Sequence, residues 1–586
     1  MKIIMSRLIA RWAIRILLMF FISTIVMMLW VDNSQDRTSV EETVRLKKAE
    51  IAESIRLRKL KELQKTLFLN PKRPDNYPYN LNVSLAEQKP LERDTPDSRP
   101  PQCKTIKYDY DKLPKLSVII PFYNEALSML LRTVHGILAR TPDDLLQEII
   151  LVNDNSPNED LGEPLERYLK VLPKKVSMIR MEKREGLIRA RITGAKVAKG
   201  PVVMFQDAHM ENNHGWAEPL LEEIRKNPKT IIQPYVEQIT TDTIEYVAAS
   251  ETVPRGGFSW DLRYTWMEMP EHEKKRRHYK NWLPFRTPTL VGCAMAVDKK
   301  HFFEIGAFDD NMNIWGGENI ELAWRNWMCH GQVLGHPCSR VAHVFKPFSY
   351  KFDGDREKIV QKNLMRIAEL WMGDWAKYFY AATYSWPFKR TFFTERDKKT
   401  LESRKAIKRR LQCKDFDWYI KTIVPEMIRP KDEAVFYGEI FSLKSEACWF
   451  LADDGYVGMS YFCFFHRTLP YNNFIIDKDG RLRHHDNTCI RVEMSTLLLK
   501  KGPCVENPED EKWDVLLMSE NTGLTQVQLR VGDEMKVLCV LQVTNVNKVH
   551  HREQMPQVSE CDQNDEFQRW RWTYRFSWDY KWEPPE

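Results

Sequence analysis

The chain has 586 residues, of which 43% are hydrophobic and 29% charged, and it carries a net charge of +7 at pH 7. This length exceeds what one hydrophobic core supports, so we expect two or three domains, and the composition excludes a mostly disordered or collagen-like protein. The small positive charge is spread along the chain and no nucleic-acid-binding motif occurs, which argues against nucleic acid as a partner.

An uncharged apolar run at residues 16–31 follows a segment with several basic residues. As a helix it spans about 24 Å, which suits a thin membrane of the early secretory pathway. No small-residue cleavage motif follows the run, so the pattern favours a membrane anchor over the alternative of a cleaved signal peptide. The basic flank predicts a cytoplasmic tail at residues 1–15 and a lumenal location for the rest of the chain.

Residues 32–100 are predicted to form a stem. Its first part, residues 41–67, is rich in Glu, Lys, Arg and Leu, which favours a solvated single helix over a self-associating one. The prolines that follow predict extended chain. The sequon Asn82-Val-Ser84 makes Asn82 a candidate glycosylation site in this segment.

From residue 116 onwards, short apolar runs alternate with amphipathic stretches. Strands are predicted over residues 116–122, 148–154, 176–180 and 202–207, and helices over 126–140 and 184–198. Such alternation indicates a largely parallel sheet with helices on both faces, in which ligands bind at the carboxyl ends of the strands. Asn124-Glu125, Asp154 and Asp207 fall at such ends. After about residue 435, short strands and regularly spaced cysteines predict a separate all-β module.

The strongest local signal for chemistry is Asp207-Ala208-His209, which directly follows a buried strand. Residues i and i+2 of an extended chain point the same way, so a carboxylate and an imidazole converge where a divalent cation could bind. Alone, the motif is more typical of a capped turn. A second polar cluster around Glu318 and His343 favours the metal site, and Gly316-Gly317 there permits a tight turn before a helix.

Many blocks occur in the order typical of one family: LSVIIPFYNEALSMLLRTVHGIL, EIILVND, REGLIRARITGA, DAHMENNHGWAEPLL, GGFSWDL, PTLVGCAMAVD, IWGGENIELAWRNW and CSRVAHVFK. The chain resembles the polypeptide N-acetylgalactosaminyltransferases, which start mucin-type O-glycans, from about residue 95 to 430 and more weakly to 586. The resemblance implies a Golgi type II single-pass membrane enzyme. Its catalytic domain, residues 101–430, would have a GT-A fold with a mostly parallel sheet, and residues 435–586 would form a ricin-type, lectin-like β-trefoil.

The reaction implied by the resemblance is the retaining transfer of GalNAc from UDP-GalNAc to Ser or Thr of acceptor polypeptides, with Mn²⁺ as cofactor. The family's metal ligands match Asp207, His209 and His343, a donor set that Mn²⁺ accepts. By the same resemblance, Asp154 and Arg184 line the uridine and diphosphate, Trp315 and Glu318 border the sugar and the acceptor, and Tyr350 lies on a mobile loop that closes over UDP. Glu318, Trp315 and Tyr350 are thus the candidate catalytic residues.

The sequence departs from the family at four places. Tyr123 replaces a usual His, Asn153 replaces the first Asp of a pair, Gly292-Cys293 replaces Gly-Gly, and Lys346 replaces an Arg. Gly292, Cys293 and Lys346 stay candidate substrate-binding residues, but the Cys293 thiol occupies volume that an acetamido sugar needs. An inactive or donor-altered Golgi binding protein is therefore the alternative to an active transferase.

The resemblance also implies a set of disulfides: Cys103–Cys338, Cys329–Cys413, Cys448–Cys463, Cys489–Cys504 and Cys539–Cys561. Cys293 is left over. None of the three C-terminal repeats keeps the Asp expected two residues after its first cysteine, where Phe450, Arg491 and Leu541 stand instead. This favours a structural or protein-docking trefoil over a sugar-binding one.

Two His and one carboxylate are also the ligand set of non-haem iron oxygenases. That site normally lies on an all-β scaffold, whereas Asp207 follows a βα alternation. The iron reading is therefore the less favoured alternative.

Overall fold

The computed structural model describes residues 19, 47–48, 54–56, 58–63, 79–249, 253–346, 352, 354–383, 393–427, 429–430, 433–461, 472–504, 511–519, 523–531, 536–544 and 554–576. The chain divides into two compact units, Met1–Tyr77 with Glu159–Lys174, and Pro78–Asn158 with Lys175–Glu586. Within the described part, no helix has both the length and the apolar character needed to cross a bilayer. The anchor expected at residues 16–31 lies outside the described residues apart from Met19.

The main helices of the described chain are, in order, α1 Val83–Gln88, α2 Leu127–Arg140, α3 Glu163–Leu169, α4 Leu187–Val197, α5 Glu218–Lys226, α6 Glu271–Arg276, α7 Lys299–Glu304, α8 Glu318–Met328, α9 Arg356–Ile367, α10 Ala376–Ala382, α11 Glu395–Arg410 and α12 Phe416–Ile423. Helix α3 belongs to the smaller unit, in which residues 47–48, 54–56 and 58–63 are also helical. All the other helices of this set belong to the larger unit.

The first part of the larger unit is built on one mixed sheet. Its strands and an adjoining hairpin (β8 and β9) are β1 Leu116–Phe122, β2 Leu146–Asn153, β3 Val176–Arg180, β4 Val202–Gln206, β5 Met210–Asn212, β6 Thr230–Ile239, β7 Tyr246–Val247, β8 Arg255–Phe258, β9 Tyr264–Met267, β10 Phe285–Arg286, β11 Ala294–Asp298 and β12 Gln332–Val344. The order across the sheet is β10-β12-β6-β11-β4-β1-β2-β3, with β5 beside β12 and β7 beside β6.

Strands β1 to β4 form the parallel part of this sheet that the sequence predicts. β1 pairs in parallel with β2 and with β4, and β2 pairs in parallel with β3. Every residue of β1 and of β4 is buried, which explains why their sequences are continuous apolar runs rather than alternating ones. Strand β11 runs antiparallel to both β4 and β6, so the sheet is mostly but not wholly parallel.

Residues 79–100, which we expected to end an extended stem, pack against this part of the protein. Ala86 of α1 is fully buried in a cluster with Met129, Ile239 and Val344. The Arg132 guanidinium donates to the carbonyl of Ala86 at 2.8 Å. The packed unit therefore begins before the boundary at residue 101, because the few apolar residues of a proline-rich segment find partners that its composition does not reveal.

The C-terminal part of the larger unit is all β. Its strands are β13 Ala434–Ser442, β14 Cys448–Leu451, β15 Val457–Ser460, β16 Phe474–Asp477, β17 Leu482–His484, β18 Cys489–Glu493, β19 Leu498–Gly502, β20 Glu511–Ser519, β21 Leu524–Val531, β22 Lys536–Thr544, β23 Gln554–Glu560 and β24 Trp570–Arg575. Because β24 pairs with both β13 and β21, nine of these strands close into a barrel. Trp449, Ile490 and Val540, each one residue after a cysteine, all lie in its core, as expected for a threefold β-trefoil.

Aromatic side chains join the trefoil to the part built on the mixed sheet. Tyr378 on α10 lies 5.9 Å from Phe576 and 4.9 Å from Trp260 between ring centroids. Trp260 in turn stacks on Trp375. Tyr574 of β24 belongs to the same buried cluster. This contact is apolar and belongs to the hydrophobic core of the part built on the mixed sheet.

Disulfides occur at the pairs that the resemblance implies. Four are formed between described residues: Cys103–Cys338, Cys329–Cys413, Cys489–Cys504 and Cys539–Cys561. Cys448 is also disulfide-bonded, and its expected partner Cys463 lies outside the described residues. Cys293 is a free and buried cysteine.

Candidate functional site

Three potential metal ligands meet at the carboxyl end of β4. Asp207 and His209 follow that strand directly, and His343 lies near the end of β12, where it pairs with Met210 of β5. The Val344 N–H donates to the His209 carbonyl at 3.2 Å, which fixes the two segments side by side. One ligand atom from each of Asp207, His209 and His343 lies within 4.8 Å of the other two, a spacing at which the three can share one cation.

The state of His343 suits metal binding. Both of its ring nitrogens are buried and make no hydrogen bond, although Nε2 lies 3.4 Å from Asp207 Oδ2. Burial lowers the pKa of His343 to about 4, outweighing the opposite effect of Asp207. The ring is therefore neutral at pH 7 and offers a lone pair that no protein group uses. Buried polar atoms without a hydrogen-bond partner are rare in proteins, and a bound ion is one of the partners that such atoms can have.

Asp207 is held in place by Arg191 of helix α4. The Arg191 guanidinium is fully buried and reaches Asp207 Oδ1 at 3.0 Å, Glu318 Oε1 at 3.2 Å and the Gly292 carbonyl at 2.6 Å. Burial acts to raise the pKa of the Asp207 carboxyl, but His343 and Arg191 outweigh it and hold that pKa below its ordinary value. Arg191 thus joins the candidate metal ligand to the candidate catalytic Glu318.

On the opposite flank, Glu125 contacts His209 and Lys346. Glu125 Oε2 lies 2.7 Å from His209 Nδ1, and Lys346 Nζ donates to Glu125 Oε1 at 2.9 Å. Burial acts to raise the pKa of Glu125, but Lys346 and His209 outweigh burial and hold it well below its usual range. Glu125 is therefore an anion here, and it leaves Nε2 of His209 as the ligand atom.

Asp154, expected to line the uridine, shapes a backbone turn. Its two carboxylate oxygens accept from the N–H groups of Glu185 and Gly186 at 2.7 and 2.9 Å. Burial raises the pKa of Asp154 above its ordinary value in spite of these bonds. Gly186 has a φ of +91°, and a Cβ there would lie 2.4 Å from the Cα of Ile314. Only glycine therefore permits the close approach of these two backbones.

Arg184 and Tyr123 form a stacked pair at the same edge of the sheet. The Arg184 guanidinium carbon lies 3.8 Å from the centroid of the Tyr123 ring, the geometry of a cation–π contact. Tyr123 is one of the departures from the family, and here it serves as the surface on which Arg184 rests.

The segment with Trp315 and Glu318 is a glycine turn followed by a helix, as the sequence predicts. Gly316 and Gly317 have φ values of +111° and +85°, and Gly317 caps α8. The Gly316 N–H donates to Glu318 Oε2 at 3.1 Å, so Glu318 is tied to both the turn and Arg191. Tyr350, the remaining catalytic candidate, lies outside the described residues.

Cys293 lies beside the candidate metal ligand Asp207. Its carbonyl accepts from the Asp207 N–H at 2.9 Å, and burial raises the pKa of its thiol well above the ordinary value. The Gly292 carbonyl beside it binds Arg191. The Gly292-Cys293 pair therefore borders the space between Asp207 and Glu318, with a neutral thiol.

Two residues with clear contacts in the site received no role from the sequence. Glu125 was noted at the end of a predicted strand but without a partner. Arg191 stands in the REGLIRARITGA block, where a helical pattern alone does not distinguish a buried arginine from an exposed one. Both become visible only when distant segments are brought together.

Comparisons with known proteins agree with this geometry. The model of Glycosyl transferase family 2 matches residues 117–302, and that of the N-terminal domain of galactosyltransferase matches residues 275–347. "Probable N-acetylgalactosaminyltransferase 9" of Caenorhabditis elegans is 34% identical over 504 residues, which cover 84% of this chain and 81% of that protein. Polypeptide N-acetylgalactosaminyltransferase 6 of Mus musculus is 34% identical over 502 residues, covering 84% and 77%.

The chain belongs to the polypeptide N-acetylgalactosaminyltransferase family. Polypeptide N-acetylgalactosaminyltransferase 13 of Rattus norvegicus is 41% identical over 369 residues, 63% of this chain and 65% of that protein. Among solved structures, the crystal structure of GalNAc-T7 with UDP, GalNAc and Mn²⁺ is similar, with a TM-score of 0.60 and 28% identity over 85% of this chain and 88% of that one.

These comparisons confirm three expectations from the sequence. The chain belongs to the expected family, it has a GT-A fold followed by a trefoil, and it is a glycosyltransferase. The alternative of a non-haem iron oxygenase has no support among these relatives. The roles expected for individual residues stay predictions.

Proposed function

We propose that this protein transfers GalNAc from UDP-GalNAc to Ser or Thr hydroxyls of polypeptides, with retention of configuration and with Mn²⁺ as cofactor. The observation that carries the proposal is the meeting of Asp207, His209 and His343 within 4.8 Å, directly linked through Arg191 to Glu318. Family membership and the similar GalNAc-T7 structure with UDP, GalNAc and Mn²⁺ support it.

Asp207, His209 and His343 would hold the Mn²⁺. One oxygen and two imidazole nitrogens suit this ion, and the unpartnered ring nitrogens of His343 fit such a role. When bound, Mn²⁺ supplies positive charge that offsets the charge developing on the departing UDP. Lys346, beside His209 through Glu125, would add a second positive charge for the diphosphate.

Arg184 would bind the diphosphate while resting on Tyr123. Its stacked guanidinium has a fixed plane, which suits the oxygens of a phosphate group. Asp154 would act on the uridine side mainly by shaping the turn at Glu185 and Gly186. These residues would hold the nucleotide so that the bond between the sugar and the phosphate faces Glu318.

Gly292, Cys293 and Glu318 would border the sugar, with Trp315 and Tyr350 toward the acceptor. In the step we propose, the acceptor hydroxyl attacks the sugar carbon from the face that UDP leaves. The bond from that carbon to the phosphate oxygen breaks, and the hydroxyl proton passes to a phosphate oxygen of UDP. This route needs no carboxylate nucleophile, so positioning and electrostatics carry the rate.

We further propose that the protein acts in the Golgi as a single-pass type II membrane protein that initiates mucin-type O-glycosylation. The apolar run at residues 16–31, the disulfides and the sequon at Asn82 support a lumenal catalytic part. Asn82 is exposed and caps α1, so a glycan there is sterically accessible. The trefoil would serve as a structural or docking module.

A second candidate function is an inactive or donor-altered binding protein. The observation that favours it is the buried Cys293 thiol in the segment beside Asp207. Replacing Cys293 by Gly separates the two cases. A large gain in transfer by Cys293→Gly would show that the native residue obstructs the sugar. Measurable transfer at the same rate by the wild type and Cys293→Gly would favour the active transferase.

A transfer assay tests the proposal. The protein is incubated with UDP-GalNAc, Mn²⁺ and Ser/Thr-rich peptides, and glycopeptide formation is followed by mass spectrometry. We expect transfer that EDTA abolishes and Mn²⁺ restores, with retention of configuration in the product. If UDP-GalNAc neither binds nor reacts with any such peptide, the proposed activity is wrong.

A further inference from the structure

Glu125 contacts two different functional groups of the site at once. It follows β1, and its side chain is only 8% exposed. Oε2 lies 2.7 Å from Nδ1 of His209, and Lys346 Nζ lies 2.9 and 3.2 Å from the two carboxylate oxygens. The Ala126 N–H adds a third contact at 3.0 Å to Oε1. The carboxylate is therefore fixed in one orientation between an imidazole and an ammonium group.

We infer that Glu125 is a positioning residue on which both metal affinity and nucleotide affinity depend. The inference rests on the proposed function, since it takes His209 as a ligand of the cation and Lys346 as a contact of the diphosphate. Glu125 itself touches neither bound group. It acts through the two side chains that do.

The first effect of Glu125 is on His209. A carboxylate at Nδ1 places the ring proton there, so the lone pair is on Nε2, which is the tautomer needed for a ligand. It also fixes the ring plane, at 4.7 Å from the ring of His343. Without Glu125, His209 would populate both tautomers and further rotamers, and metal binding would have to restrict them.

The second effect is on Lys346. A lysine side chain is long and flexible, but here it is only 10% exposed and is held by both oxygens of Glu125. An ammonium group next to a divalent cation is repelled by it, and the negative charge of Glu125 offsets that repulsion. The carboxylate therefore allows a lysine and a metal ion to lie on the same side of one diphosphate.

The test measures binding rather than transfer. Mn²⁺ affinity of the full-length protein in detergent is measured by electron paramagnetic resonance of the free ion, and UDP affinity by calorimetry in saturating Mn²⁺. The variants are Glu125→Ala, Glu125→Gln, Lys346→Met and the double variant Glu125→Gln with Lys346→Met. Glu211→Gln is the matched control, because Glu211 is also a buried carboxylate and only two residues from His209, yet it pairs with Arg93 and Arg132.

We expect Glu125→Ala to weaken Mn²⁺ binding by roughly 10- to 100-fold, the usual effect of removing the partner of a ligand histidine. Glu125→Gln keeps an oxygen that accepts from His209, so it should weaken Mn²⁺ binding less than Glu125→Ala does. It removes the negative charge beside Lys346, so it should weaken UDP binding as much as Lys346→Met does. The double variant should then bind UDP no more weakly than either single variant. Glu211→Gln should leave both affinities unchanged.

Wild-type affinities for Mn²⁺ and UDP in both Glu125 variants would overturn the inference, as would fully additive losses in the double variant. If Glu125→Ala does not fold, the UDP and Mn²⁺ affinities of Glu125→Gln and of the double variant still test the inference. A wild-type protein that binds Mn²⁺ and UDP but transfers nothing contradicts the proposed activity alone. A wild-type protein that binds no Mn²⁺ overturns both.

Discussion

The guanidinium of Arg191 is fully buried and lies 3.0 Å from Oδ1 of Asp207, which directly follows the carboxyl end of β4. The same guanidinium reaches Glu318 on α8. A candidate metal ligand and a candidate catalytic residue, which come from distant parts of the chain, are therefore held at a fixed separation by one side chain from α4. The two carboxylates would repel each other without it.

Replacing Arg191 by Met should destabilise the protein by about 3–5 kcal/mol, because it leaves the buried carboxylate of Glu318 and the partly buried one of Asp207 without their cation. Urea unfolding followed by tryptophan fluorescence measures the change. Lys196→Met is the control, since Lys196 is exposed in the last turn of the same helix, and its effect should stay within about 0.5 kcal/mol. Equal midpoints for Arg191→Met and the wild type would contradict the role of Arg191.

Replacing Asp207 or His343 by Ala should abolish Mn²⁺ binding and metal-dependent transfer, because each removes one of three ligand atoms that lie together. His336→Gln is a matched control on the same strand as His343. His336 is also buried, and its Nδ1 accepts from the Cys338 N–H, but it lies outside the metal cluster. Mn²⁺ titration of the three variants checks this, and unchanged binding by His343→Ala would refute the ligand assignment.

The thiol of Cys293 should be inert in the folded protein. Burial raises its pKa well above the ordinary value, so at pH 8 the group stays protonated, and the thiolate is the form that reacts. Iodoacetamide labelling followed by mass spectrometry should therefore be slow in the native protein and fast in urea. Cys293→Ala identifies the labelled site by removing the signal. Rapid native labelling at pH 8 would show that the thiol is exposed or ionised.

Replacing Tyr378 by Ala should destabilise the protein by about 3 kcal/mol, because the ring packs between Trp260 of the catalytic part and Phe576 of the trefoil. We also expect the variant to unfold thermally in two transitions rather than one, since the two domains lose part of their shared core. Calorimetry measures both effects. Phe567→Ala removes an aromatic ring that is 38% exposed and should change stability by less than about 0.5 kcal/mol.

The sequence was most informative where structure is local. The fully buried strands β1 and β4 are continuous apolar runs, so their bounds and the position of Asp207 and His209 at a strand end could be read directly. The sequence could not show that residues 79–100 include a packed helix, because the contacts that hold α1 come from Arg132 and from strands far along the chain. Composition carries no information about such partners.

The candidate metal site also depends on partners that the sequence alone does not reveal. The residues alone only favoured a link between His343 and Asp207, and the family resemblance made that link specific, because the pairing of β12 with β5 that brings the two together is a property of the fold. Arg191 and Glu125 are charged residues in segments where exposed charges are the usual case. Their burial depends on partners that become neighbours only after the sheet has formed.

Gly186 and Ile314 touch through their main chains, and the Leu187 N–H completes the contact by donating to the Ile314 carbonyl at 2.9 Å. Because main-chain atoms make this junction, it requires glycine at 186, and position 314 is constrained as well, since Ile314 is buried and has a φ of +55°. This backbone contact couples the position of the turn at Trp315 to that of the helix that begins at Leu187. We therefore expect substitutions on that turn to act through their side chains, while its backbone path stays the same.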